Sequence, residues 1–134
     1  MKLSRLFLLI VLLSHCNADV PDKLIGKWRV VEFNHSLKVF NESEKLELNK
    51  RAQSTTYEFK NDFTIRVTSG FTKSSKTGTW YWDEYREKLV INNNSVLEEN
   101  VDTLYIVKFK GDDMKWMQTF SRTDTSFIYL KRVD

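Results

Sequence analysis

The chain has 134 residues, with 21 basic and 18 acidic side chains and one cysteine. This length fits one domain with a single hydrophobic core. A lone cysteine excludes a disulfide within the chain, so packing alone has to hold the fold together.

Residues 1–18 have the pattern of an export signal. Lys2 and Arg5 precede an unbroken apolar octet at 6–13, and a short polar stretch ends at Ala18. Eight apolar residues are too few to span a bilayer of about 30 Å. We therefore expect an exported protein in which residues 19–134 form one domain. Without Lys2 and Arg5, 19 basic side chains stand against 18 acidic ones, which gives binding to nucleic acid little support.

Cys16 leaves two kinds of processing open. In the first, small residues at 16 and 18 direct a signal peptidase to cleave before Asp19, and the protein is secreted. In the second, Leu-Ser-His-Cys at 13–16 resembles a bacterial lipobox, although His15 departs from the small residue expected there. Residues 1–15 are then removed, Cys16 carries a lipid that anchors a lipoprotein in the cell envelope, and residues 19–22 form a polar tether. This anchor is the one contact with a membrane that the sequence predicts.

A period of two dominates the rest of the chain and predicts eight strands. They are residues 27–33, 55–60, 63–68, 77–85, 89–92, 103–110, 114–121 and 126–133. Asn61-Asp62 predicts a two-residue turn, the asparagine run at 92–94 a second turn, and Gly111-Asp112-Asp113 a third.

Eight strands with mostly short connections predict an all-β fold, an eight-stranded antiparallel up-and-down barrel (meander). Closure of the barrel pairs the strand edges that an open sheet would expose. The connection between strands 1 and 2 is the long one. Residues 42–51 place acids early and bases late, as a helix dipole favours, and predict one short helix between strands 1 and 2 that lies across a barrel mouth.

Four short motifs resemble those of lipocalin-like (calycin) domains in exported bacterial proteins. They are Leu-Ile-Gly-Lys-Trp at 24–28, Tyr-Glu-Phe at 57–59, Gly-Thr-Trp at 78–80 and Tyr-Leu-Lys-Arg at 129–132. The resemblance implies that Gly26 and Trp28 form a plug at the closed end of the barrel. It also implies that an arginine of the last strand stacks on the tryptophan, a role for which Arg132 is better placed than Arg122. Such a cation–π contact contributes about 1 kcal/mol.

The same resemblance implies a ligand site inside the barrel. The candidates for its lining are Tyr57, Phe59, Trp82, Tyr105 and Trp116. The other side chains expected to point inward are Phe63, Ile65, Val107, Phe109 and Met114. An eight-stranded barrel holds either side chains alone or one small ligand, so this crowded interior suits a small planar or acyl molecule.

Catalysis has little support in the sequence. His35 is the one histidine after residue 18, which is too little for a His-rich metal site or for His-based acid–base chemistry. Adjacent acids, as at 83–84, point to opposite faces of a strand and do not form a catalytic pair. We expect no enzyme activity, no metal and no cofactor. The sequons at Asn34, Asn41 and Asn93 would carry glycans only in a eukaryotic source.

Two functions fit these expectations. The first is an exported lipocalin-like binding protein that holds a small hydrophobic ligand in the barrel. The alternative is a protein-interaction module, an inhibitor or a cell-envelope scaffold, with a filled barrel. A continuous cavity lined by Tyr57, Tyr105 and Trp116 would favour the ligand. Exposed apolar side chains such as Phe40 and Phe71 on a loop face would favour the protein partner.

Overall fold

The structure, a computed structural model, describes residues 19–35, 40–95, 98–119 and 125–133. The predicted export signal with Cys16 lies outside these residues, and so does Arg122. The elements are α1 (Val20–Leu24), β1 (Gly26–His35), α2 (Glu42–Ala52), β2 (Thr56–Phe59), β3 (Thr64–Thr68), β4 (Ser75–Asp83), β5 (Lys88–Ser95), β6 (Glu98–Lys110), β7 (Asp113–Thr119) and β8 (Thr125–Val133).

The eight strands form a closed barrel in which each strand pairs with the next and β8 pairs with β1. Every pairing is antiparallel. The predicted fold class is therefore confirmed, including the single short helix between strands 1 and 2. Each strand is paired on both sides, so the sheet closes on itself. The inner faces of all eight strands therefore surround one core.

The inner face is filled by large apolar side chains. Those that are at most 2% exposed are Leu24, Trp28, Phe59, Ile65, Trp80, Leu89, Ile91, Met114, Trp116 and Leu130. Phe59 makes edge contacts with the rings of Trp80 and Trp116, with centroids 5.3 and 6.2 Å apart. The core is thus a connected set of aromatic rings surrounded by aliphatic side chains.

The asparagine run at 92–94 does not form the predicted turn. It lies within β5 and pairs with residues 99–101 of β6, so both strands are longer than expected. Asparagine has a low intrinsic preference for strands, and cross-strand pairing outweighs it here.

Residues 19–22 do not form the expected polar tether, because most of them belong to a helix. A one-turn helix, α1, begins at Val20 and carries Pro21 in its first turn, where a proline is tolerated. The last residue of α1, Leu24, is fully buried in the core. We call the barrel end that α1 covers the α1 end.

Phe63 was expected to point into the barrel, and this prediction is wrong. The chain leaves β2 through a turn in which the Phe63 amide donates to the Lys60 carbonyl, and Phe63 has a φ of +62°. The side chain is 55% exposed and its ring packs on the rim beside Trp80, 5.4 Å between centroids. The Asp62 carboxylate accepts hydrogen bonds from the hydroxyl and the amide of Thr64, which lower the pKa of Asp62.

Helix α2 begins with a complete capping box. The Asn41 side chain accepts a hydrogen bond from the Glu44 amide at 2.9 Å, and the Glu44 carboxylate accepts one from the Asn41 amide at 2.8 Å. Both bonds satisfy backbone donors that a helix start would otherwise leave to water.

The end of α2 supplies hydrogen bonds to β1. β2 pairs with β1 only along Gly26–Arg29. Beyond that point the Phe33 amide donates to the Asn49 side chain at 2.8 Å, and the Gln53 side chain donates to the Val31 carbonyl at 3.0 Å. Helix α2 therefore packs against the edge of β1 that β2 does not reach, on the side of the barrel away from α1.

Replacing Asn41 by alanine is expected to lower the free energy of unfolding by about 1 kcal/mol, because the helix loses its N-cap acceptor. Urea denaturation followed by circular dichroism measures the change. Ser43→Ala, an exposed position in the same turn, is the matched control and should change stability by less than about 0.5 kcal/mol. Equal effects of the two substitutions would contradict the capping role of Asn41.

Candidate functional site

The α1 end is closed by Trp28 and Arg132. Trp28 is fully buried, and its indole N–H donates to the Leu24 carbonyl at 2.8 Å. The guanidinium carbon of Arg132 lies 4.3 Å from the centroid of the Trp28 ring. The stacking that the family resemblance implies is present, with the arginine expected to provide it.

Arg132 also binds three polar groups on two other segments of the chain. Its guanidinium donates to the carbonyls of Ile25 and Lys23 at 2.7 and 2.6 Å, and its Nε lies 3.2 Å from a carboxylate oxygen of Asp112. Gly26 has a φ of +128°, and a Cβ at this position would lie 2.5 Å from Nη1 of Arg132. This arrangement suits a structural role for Gly26, Trp28 and Arg132, because the guanidinium is already engaged on several sides.

Three of the candidate lining residues meet inside the barrel. The rings of Tyr57 and Trp116 are in edge contact at 4.9 Å between centroids, and Phe59 contacts Trp116 from another side. Phe59 and Trp116 are almost fully buried, while Tyr57 is half-buried. The sequence pattern thus placed these three side chains together correctly.

The indole nitrogen of Trp116 has no hydrogen-bond acceptor in the part of the chain that the structure describes, although it is buried. The other two buried tryptophans differ in this respect. Trp28 donates to Leu24, and Trp80 donates to the Lys60 carbonyl at 3.2 Å. Buried N–H groups are nearly always paired, and an unpaired one costs about 1–3 kcal/mol. Trp116 is therefore the place in the core where an additional acceptor would be favourable.

The inner wall becomes polar just beyond Trp116. Gln118 follows Trp116 on the inner face of β7, and its register partner Ser126 is 1% exposed. The buried Thr55 hydroxyl, just before β2, accepts a hydrogen bond from the Gly70 amide at 3.0 Å. Gln118 and Ser126 were not among the predicted lining residues, although the alternation from Trp116 and Ile128 indicates the inner face for both.

Tyr105 was expected to line the interior, and this prediction is wrong. Its side chain is 39% exposed on the outer face, whereas Leu104 beside it is buried. The expectation put Tyr105 and Phe109 on one face by strict alternation. A bulge between Ile106 and Lys108 shifts the register, so Leu104 and Ile106 point inward before it and Phe109 after it. The side chain of Val107, within the bulge, lies outside the described part of the structure.

Trp82 is separated from the Trp116 cluster and lies near the α1 end. It lines a groove of about 480 Å³. The groove residues are Asp19, Val20, Trp82, Glu84, Glu87, Ile106, Lys108 and Phe109. Its floor is apolar and its rim carries mostly carboxylates, so it differs in chemistry from the interior around Trp116.

The described residues contain no group of three or more His, Cys, Asp or Glu side chains that could hold a metal ion. His35 ends β1, and its side chain lies outside what the structure describes. No helix within the described ranges is long and apolar enough to cross a membrane.

No protein-family model and no curated protein matches the sequence. Among solved structures, a crystal structure of a DUF4847 family protein from Bacteroides vulgatus ATCC 8482 is similar to this chain, with a TM-score of 0.54 and 14% sequence identity. The similarity covers 81% of this chain and 94% of that chain. At this level of identity the comparison shows a shared barrel fold.

Proposed function

We propose that this chain is an exported, lipocalin-like binding protein that holds a small, largely apolar ligand in its barrel. The observation that carries the proposal is the buried, unpaired indole N–H of Trp116. A ligand with a carbonyl or carboxylate oxygen would supply the acceptor that the described residues lack. Binding then requires no catalytic residue, metal or cofactor.

The described residues favour entry of the ligand from the side away from α1. At the α1 end, Trp28 packs edge-on against Phe109, and Arg132 lies over it. On the other side of Trp116 the inner wall carries Gln118 and Ser126, which suit the polar part of a ligand. An eight-stranded barrel holds one small ligand at most, so the proposed ligand is a small molecule.

Native mass spectrometry of the protein purified from its own source tests the proposal. We expect a retained small molecule of one fixed mass. Trp116→Phe keeps an aromatic ring and removes the N–H, so it should weaken retention roughly 3- to 10-fold, as expected for one neutral hydrogen bond. Trp82→Phe, at the α1 end, is the matched control and should retain the molecule as the parent does.

Two results would contradict the proposal. One is protein that is empty in every preparation. The other is a loss of stability for Trp116→Phe as large as for Trp80→Phe, because Trp80 has an internal acceptor and Trp116 is expected to have none. Intact mass spectrometry of the same material also shows whether Cys16 carries a lipid, and so decides between secretion and anchoring.

The alternative is a protein-interaction module with a filled barrel. One observation favours it: Phe71, on the loop between β3 and β4, is 45% exposed. Phe40, expected to join it on a loop face, is half-buried. An empty barrel in native mass spectra would favour this alternative over ligand binding.

A further inference from the structure

The outer face of β1, β8, β7 and β6 carries three rows of side chains that are neighbours across the strands. The first row is Arg29, Lys131, Asp113 and Lys110; the second is Glu32, Tyr129, Lys115 and Lys108; the third is Asn34, Phe127, Met117, Tyr105 and, on β5, Lys88. The residues between them, such as Trp116 and Ile128, are buried on the inner face. We call these three rows the basic–aromatic face.

The basic–aromatic face concentrates positive charge. Six of its side chains are basic and two, Glu32 and Asp113, are acidic. Residues 19–134 together are nearly neutral, with 19 basic and 18 acidic side chains. The rest of the molecule is therefore net acidic, and the charge distribution distinguishes this side of the barrel from the others.

Apolar side chains lie among these charges. Nζ of Lys115 lies 4.4 Å from the ring centroid of Phe127 and 4.9 Å from that of Tyr129. Phe127, Tyr129 and Met117 are half-buried and Tyr105 is 39% exposed, so part of each side chain faces solvent. This surface combines cations with aromatic and thioether groups on neighbouring strands of one sheet.

We propose that the basic–aromatic face binds the surface of a membrane that contains anionic phospholipids. Five of its six cations are lysines, whose compact charges are attracted to anionic headgroups without needing a fixed geometry. Tyrosine and other amphipathic rings settle at the level of the headgroups. Of the three rows, the first lies nearest α1, so an anchor attached upstream of Asp19 would bring this part of the face close to the bilayer. The proposal is independent of a ligand in the interior.

Co-sedimentation with vesicles tests the proposal. The protein carries Cys16→Ser, so that a lipid on Cys16 does not supply the binding. We expect it to bind mixed phosphatidylcholine–phosphatidylglycerol vesicles but not vesicles of phosphatidylcholine alone. Binding to the mixed vesicles should weaken as salt is added. The triple variant Lys108→Glu, Lys115→Glu, Lys131→Glu should lose about 100-fold or more in partition coefficient.

A matched control separates the face from net charge. The triple variant Lys60→Glu, Arg66→Glu, Lys76→Glu changes the total charge equally at exposed positions outside the face, and should bind within about 3-fold of the parent. If the first triple variant does not fold, as judged by circular dichroism, replacing the same three lysines by glutamine provides a milder test with the same direction.

Three outcomes would overturn the proposal. The first is parental binding by the variants of Lys108, Lys115 and Lys131. The second is an equal loss of vesicle binding by the control triple variant, which would show that binding depends on net charge alone. The third is binding to heparin or DNA without binding to the anionic vesicles, which would assign the face to a soluble polyanion.

Discussion

Replacing Trp28 by alanine is expected to lower the free energy of unfolding by about 3–5 kcal/mol. The tryptophan side chain is fully buried, packs edge-on against Phe109 at 5.7 Å between centroids, and lies beneath Arg132. Alanine would leave a cavity, and it would remove the indole N–H that donates a hydrogen bond to the Leu24 carbonyl. Urea denaturation followed by circular dichroism measures the loss.

A control for Trp28→Ala is Tyr85→Ala, which removes an aromatic ring that is 95% exposed. This variant should be within about 0.5 kcal/mol of the parent. If Trp28→Ala were as stable as the parent protein, this would contradict the burial of Trp28 at the α1 end. Because Trp116 lies farther along the barrel, folded Trp28→Ala protein should still retain the proposed ligand.

Replacing Gly26 by alanine is expected to lower the free energy of unfolding by about 2–4 kcal/mol. Two effects add up. The φ of +128° is a conformation that residues with a side chain rarely adopt, and the new methyl group would displace the Arg132 guanidinium from its place beside Ile25. Thermal and urea denaturation of the variant give the size of the loss.

A double-mutant cycle separates the two effects at Gly26. In an Arg132→Ala background the collision is absent, so Gly26→Ala should cost about 1 kcal/mol less than it does in the parent. Gly111→Ala is the matched control, because Gly111 also has a positive φ, +57°, yet a Cβ there would meet no atom within 4 Å. We expect about 1 kcal/mol for the control. Additive effects of Gly26→Ala and Arg132→Ala would contradict a direct contact between the two positions.

The barrel was predictable because its inner face leaves a period of two in the sequence. In β7, for example, the buried Met114 and Trp116 alternate with outward-facing lysine and methionine. The length of β5 was not predictable, since Asn92–Asn94 favour turns locally and only pairing with β6 keeps them extended. Helix α1 was missed for a similar reason. Its five residues are too few to show a helical period, and side chains outside the helix, those of Trp28 and the distant Arg132, donate to the carbonyls at its end.

The candidate site was predictable to a smaller extent. Alternation correctly placed Tyr57, Phe59 and Trp116 together, but it failed for Tyr105, because a single bulge residue in β6 changes the face of every side chain before it. The unpaired N–H of Trp116 has no signature in the sequence at all. Whether an indole N–H is paired depends on which carbonyls the fold places near it. Trp28 donates to a carbonyl of α1, and Trp80 donates to a carbonyl of the turn after β2.

The junction of β1 and β8 determines the order in which the molecule can be completed. Arg132 and its acceptor at Ile25 are 107 residues apart, and β1 pairs with β8 along most of its length. Synthesis delivers β1 first and β8 last, so an incomplete chain can form at most an open sheet with unpaired edges. Open sheets of this kind are the species that aggregate during folding. The time between the emergence of β7 and that of β8 is therefore the interval in which the nascent chain most needs protection by chaperones.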